Sequence, residues 1–106
     1  MIKQHLKKFI MEVQHHRGAT NGVFYIEDNA KQIATMTYVF RNEKTFIIEH
    51  TIVDPAYEGK GLGKQLVKAA VNFARENDLK IIPLCPFAKA IFDRVPEFAD
   101  VLTAYE

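Results

Sequence analysis

Strands come first in this chain and helices later, which predicts an α+β (mixed α/β) fold: a mainly antiparallel sheet with one parallel crossover and a short C-terminal helix. Three observations carry that prediction. Residues 23–53 hold three β-branched and aromatic runs separated by short polar turns. A stripe of apolar residues at helical spacing begins at Leu62. A short apolar run follows that helix at residues 79–84, where a strand joined by a crossover would lie parallel to an earlier one.

The three strand runs are Val23-Phe24-Tyr25-Ile26, Ile33 to Phe40 and Thr45 to Val53. The connections Glu27-Asp28-Asn29-Ala30 and Arg41-Asn42-Glu43-Lys44 are short enough for antiparallel hairpins. Residues 9–16, with Phe9, Met11 and Val13 alternating with polar positions, add a strand at the front, before a turn from Arg17 to Gly22. Leu62, Leu66, Ala69, Ala70 and Phe73 fall at i, i+4, i+7, i+8 and i+11, so a helix is expected over 61–76, stopped at Asn77-Asp78. Pro83 cannot donate to a ladder, which leaves the strand at 79–84 open on one side at its C-terminal end. Pro86 suits a first helical position, and Phe87, Ala90, Ile91 and Val95 mark a short second helix ended before Pro96.

A chain of 106 residues closes one core, so a single domain over residues 1–106 is expected. Lys and Arg number 14 against 13 Asp and Glu, a net charge of +1 that gives no reason to expect a nucleic-acid partner. No run approaches the ~20 apolar residues of a membrane span. Met1 to Lys8 is basic but lacks the apolar stretch of a signal peptide. Cys85 stands alone and the four histidines are scattered, so neither an intramolecular disulfide nor a zinc site is expected, and the location expected is cytoplasmic.

Chemistry concentrates in Glu58-Gly59-Lys60-Gly61-Leu62-Gly63, three alternate glycines between a strand and a helix. Backbone N–H groups can converge there on a phosphate at the positive end of a helix dipole. Lys60 and Lys64 place cations at the same end, where they are unfavourable unless an anion offsets them. The other reading is a connection that only lets helix and sheet pack closely. A P-loop does not fit, because Gly59 and Gly63-Lys64 are three residues apart and Gln65 follows; nor does a dinucleotide fingerprint, which needs glycine where Leu66 stands.

The stretch from Val53 to Val67 resembles the acetyl-CoA signature of the GNAT superfamily of N-acetyltransferases, Arg/Gln-x-x-Gly-x-Gly/Ala. His50-Thr51-Ile52-Val53 before it, with Cys85-Pro86-Phe87 and Pro96-Glu97-Phe98 after it, resemble the small truncated GNAT-like subfamily, over roughly residues 20–105. That resemblance implies a pyrophosphate on the amides from Gly59 through Lys60, Gly61, Leu62 and Gly63 to Lys64. It also implies a pantetheine arm along the strand ending at Ile52-Val53, in the manner of an added strand. Glu58 departs from the pattern, standing where Arg or Gln is usual, and is expected to point away from the pyrophosphate.

Cys85, just before Pro86, is placed at a helix N-terminus that can lower a thiol pKa and make it a nucleophile towards a thioester. It can equally be a small buried hydrophobe after Ile81-Ile82-Pro83-Leu84. His50 alternates with Phe46, Ile48 and Ile52 and is expected on their face, either satisfied at the core edge or taking a proton from an incoming amine or from Cys85. The resemblance puts both near the reactive end of the cofactor. His5, His15 and His16 are expected at the surface, and Tyr57 and Tyr105 are given no role. The expected activity is transfer of acetyl from acetyl-CoA to an amine, small or peptidic, directly or through Cys85; the alternative is an acyl-CoA-binding or regulatory module with little catalysis.

Overall fold

The computed structural model describes residues 11–104. Five strands form one sheet in the order β1-β2-β3-β4-β5: β1 Gln14–Arg17, β2 Asn21–Asp28, β3 Lys31–Asn42, β4 Thr45–Val53 and β5 Lys80–Pro83. The first four run antiparallel to their neighbours, and β5 lies parallel to β4. The helix α1, Leu62–Asn77, makes the crossover between them; α2, Pro86–Arg94, and a 3-10 segment, Pro96–Val101, complete the chain. The expected fold class and element order are therefore those observed.

The β2–β3 hairpin turns on Asn29 and Ala30, both left-handed (φ 54° and 65°), the backbone that a two-residue turn between twisted strands demands. The front strand exists but sits later than its apolar alternation suggests. Met11 and Val13 precede β1 and pack partly on the core, while the strand itself is the polar Gln-His-His-Arg run. Phe9, His5 and Tyr105 lie outside the described residues.

One face of the sheet carries the core. Phe24, Ile26, Met36, Tyr38, Phe46, Ile48 and Ile81 meet Leu62, Leu66, Val67, Ala70, Val71 and Ala74 of α1, all 2 % exposed or less. The stripe that signals α1 is thus right in period but turned slightly, since Ala69 and Phe73 flank the buried line instead of forming it. In α2 the buried residues are Ala88, Ile91 and Phe92; Ala90 and Phe87 of the expected stripe are exposed. Asp78, left-handed at φ 57°, closes α1 with its N–H on the Ala74 carbonyl. No helix among the described residues is long and apolar enough to cross a membrane.

Tyr38 shows how tightly this face is built. Its ring is fully buried, and its hydroxyl reaches His15 Nε2 at 2.6 Å. To do so the phenol crosses β2 at Gly22, where a Cβ would lie 2.4 Å from Tyr38 Oη and 2.8 Å from the His16 carbonyl. His15 stacks on Phe24 with ring centroids 4.0 Å apart and meets Phe73 edge-on at 4.6 Å. Arg17 lies 4.9 Å over the Phe40 ring. His15 is exposed, as expected, while one side of its ring packs on these aromatics.

Gly22→Ala forces backbone against a buried phenol and is expected to destabilise the fold by about 1–3 kcal/mol, read as a lower denaturant midpoint at unchanged slope. Burial lowers the His15 pKa, helped by the charges of Arg17 and His16. The unfolded chain therefore binds the proton more readily. His15 contributes stability that is full above about pH 6.5 and is lost as pH falls below it. Thermal unfolding at about pH 7.5 and about pH 5.5 should show a smaller drop in Tm for His15→Asn than for the wild type; equal drops would refute the assignment.

Candidate functional site

The segment between β4 and α1 is pinned at its start. Asp54 Oδ1 accepts the Ala56 N–H at 2.9 Å, opening a 3-10 turn over Pro55–Tyr57, and Asp54 Oδ2 pairs with Lys31 Nζ at 3.4 Å. The backbone bond from Ala56 is the main reason that the Asp54 carboxyl is held below the usual range; burial opposes it and Lys31 adds to it. The Tyr57 hydroxyl donates to Asp28 Oδ2 at 2.5 Å, tying the turn to the β2–β3 hairpin. That bond raises the Tyr57 pKa, with burial contributing.

The three glycines then do two different jobs. Gly59 and Gly61 are left-handed, φ 82° and 78°, and a Cβ at either would meet nothing. Their requirement is conformational. Gly61 is the N-cap of α1 and has no side chain to bond the first-turn amides, which leaves those from Leu62 to Lys64 available to an outside acceptor. Gly63 has ordinary φ, yet a Cβ there would lie 2.2 Å from the Phe87 ring. It is glycine so that α2 can bring Phe87 over the start of α1.

The turn, α2 and the end of β4 enclose a cleft of about 410 Å³. Its floor on the sheet side comes from Thr51 and Val53, which reach that face because of an irregularity in β4. Tyr38 pairs with Ile48 but Thr37 pairs with His50, so Glu49 is an extra residue and the alternation shifts. Beyond this bulge Thr51, opposite buried Met36, joins the helix-covered face, while His50 and Ile52 turn to the other.

At the same point β4 and β5 part. Their ladder ends at Ile48 and Pro83, and the Leu84 and Cys85 amides both approach the Ile48 carbonyl at 3.2 Å. From Glu49 to Val53, β4 is paired only on its β3 side. Cys85 occupies the fork. It is the N-cap of α2, is 6 % exposed, and its thiol donates to Thr51 Oγ1 at 3.5 Å. Burial pushes the thiol pKa up, but hydrogen bonds from the Thr51 side chain and the Ala88, Phe87 and Thr51 amides outweigh it, and the net shift is downward.

Of the residues singled out from sequence, Val53, Gly59, Gly61, Leu62, Gly63 and Lys64 line the cleft, whereas Lys60 is not part of its wall. Glu58, expected to turn away, contributes to the wall. Ile52 is 66 % exposed on the opposite face, so only its backbone belongs to the cleft strand. His50 does not share the face of Phe46 and Ile48, because the bulge intervenes; it is exposed on the side of Thr37 and Ile52, across the sheet from Thr51. Tyr57, given no role from sequence, also lines the cleft; Thr51, Phe87, Ile91 and Arg94 complete it and were not singled out from sequence as ligand-facing. Phe87, Ile91 and Arg94 stand at i, i+4 and i+7 of α2, a spacing that marks one helix face.

A family profile described as GCN5-related N-acetyl-transferase matches residues 23–101. Protein NATD1 of Xenopus tropicalis is 40 % identical over 52 residues, which are 49 % of this chain and 48 % of that protein. NATD1 of Homo sapiens is 38 % identical over 52 residues, 49 % and 46 % of the two chains. The match thus spans about half the length of these curated relatives. A solution structure of a GCN5-like protein from Staphylococcus aureus is 38 % identical, with a TM-score of 0.68 over 91 % of both chains. A GNAT family acetyltransferase from Elizabethkingia anophelis, solved with acetyl-CoA bound, has a TM-score of 0.59 over 70 % of this chain and 64 % of that one; at 14 % identity the likeness is one of fold. With the profile covering most of the chain and the sheet, bulge and glycine turn in place, this protein belongs to the GCN5-related N-acetyltransferase family.

Proposed function

We propose that the protein binds acetyl-CoA in this cleft and transfers the acetyl group to an amine in the cytoplasm. The observation that carries the reading is the continuity of the cleft: uncapped helix amides at one end, an unpaired strand edge along its floor, and the Thr51–Cys85 pair where β4 and β5 diverge. Phosphates suit the amides of Gly59 to Lys64 and the Lys64 cation. A pantetheine arm carries amide groups that can bond β4 beyond Ile48 as another strand would.

The lowered thiol pKa supports Cys85 as the acyl carrier. Its sulfur attacks the thioester carbonyl, the bond to the CoA sulfur breaks, and CoA leaves as thiolate; the amine then attacks the acetyl-cysteine and returns the sulfur as thiolate. The exposure of His50 on the far face supports a role in taking the proton of an amine arriving from that side. A hollow on the same face, walled in part by His16, Thr37 and Glu49, offers a carboxylate to a cationic acceptor. Direct attack by the amine on bound acetyl-CoA is the second reading. It is favoured by the position of Cys85 behind Thr51 and outside the cleft wall.

Acetyl-CoA at about 100 times its Kd should stabilise the fold by about 2.7 kcal/mol, a Tm rise of roughly 10–20 °C for a domain of this size. No shift at millimolar ligand, with no heat of binding in calorimetry, would reject the reading. Mass spectrometry after incubation with acetyl-CoA should find one acetyl group on Cys85 in the wild type and none in Cys85→Ala. If Cys85 stays unmodified while an amine is acetylated, transfer is direct. His50→Ala should lower kcat by about 100-fold with little change in the acetyl-CoA KM.

A further inference from the structure

The charged residues that wall the cleft are few: Glu58 and Lys64 on the glycine turn, and Arg94 on α2. The first two cancel. Arg94 therefore decides whether the cleft is neutral or positive. Its position in the last turn of α2 complements that helix's dipole, a role any cation on any side of the turn would fill. The i, i+4, i+7 line from Phe87 through Ile91 puts it instead on the side facing the glycine turn.

Two other cations on α1 and α2 are engaged with carboxylates. Arg75 binds Asp100 at 2.7 Å and Lys89 binds Asp93 at 3.6 Å, one turn back on α2 itself. Among the described residues Arg94 has no ion pair, although Asp93 is its neighbour in sequence. A cation left unpaired on the wall of a cleft, facing helix amides that have no side-chain acceptor, adds to a single electrostatic pattern suited to a phosphate.

We propose that Arg94 is a phosphate-binding residue of the cleft, supplying from α2 the charge that Glu58 does not supply from the glycine turn, and that it selects a phosphorylated acyl carrier over an unphosphorylated one. This rests on the acetyl-CoA reading of the same cleft. The guanidinium reaches across from the opposite wall, so the phosphate is held between Arg94 on one side and the amides and Lys64 on the other. Glu58 then lowers the affinity but does not abolish it.

Calorimetric titration of the wild type, Arg94→Gln and Arg94→Lys with CoA, 3′-dephospho-CoA and pantetheine tests this, after circular dichroism and Tm show that the variants are folded. Arg94→Gln should weaken CoA about tenfold at low salt and flatten the salt dependence of binding. It should leave the weaker binding of pantetheine unchanged, and Arg94→Lys should restore part of the loss. If 3′-dephospho-CoA suffers the same loss, the partner is the diphosphate; if it suffers none, the partner is the 3′-phosphate. CoA binding within twofold of wild type in Arg94→Gln, or an equal loss for pantetheine, overturns the proposal while the acetyl-CoA reading stands. A wild type that binds no CoA overturns both.

Discussion

The two amides just after β5, those of Leu84 and Cys85, converge on a single carbonyl, that of Ile48, and β4 and β5 cannot remain side by side beyond it. Pro83 has no N–H to extend the ladder, and the chain turns at once into α2 through Cys85 and Pro86. The rest of the site follows from this fork. The edge of β4 is exposed, a thiol is lodged in the gap, and α2 is aimed so that Phe87 and Arg94 wall the cleft opposite the glycine turn. A fork between strands would ordinarily leave polar backbone wanting partners. Here a side-chain bond bridges the gap, the Cys85 thiol donating to Thr51 Oγ1, and the β4 backbone on that side stays open.

The bulge at Glu49 works with the fork. Without it the alternation of β4 would send Thr51 and Val53 to the outer face and His50 into the cleft. One extra residue sorts two chemistries to opposite sides of a single strand, the imidazole outside and the hydroxyl and thiol within.

Much of this was legible in the sequence, and the failures share a cause. Hairpins, crossover helix and final strand could be placed because their periods and turn residues are local signals. The glycine turn was found for the same reason, but its glycines looked equivalent. Separating Gly59 and Gly61, needed for backbone conformation, from Gly63, needed for the Phe87 ring, takes a contact 24 positions away. The face of His50 was misread because a bulge inserts a residue without leaving a mark in composition, and every assignment after it changes sides. The exposure of His15 was legible, but its ring contacts were not, because Phe24, Tyr38 and Phe73 come from three other elements. Arg94 carried a usable signal, the stripe from Phe87, which only matters once α2 is known to face the turn.

The two outer strands of the sheet show what is special about the cleft strand. β1 is only four residues long, wholly polar and basic at its end, a poor template for pairing with a second chain. On the far side, the Thr103 N–H bonds the Ile81 carbonyl and Leu102 bridges Ile81, so β5 is covered by the chain that follows α2. Between these guarded borders, the stretch of β4 past Ile48 is the inner-strand backbone that the described fold leaves without a neighbour. One distribution of hydrogen bonds thus does two things in the described sheet: its borders are blunted, and its open backbone edge lies inside, between β4 and β5.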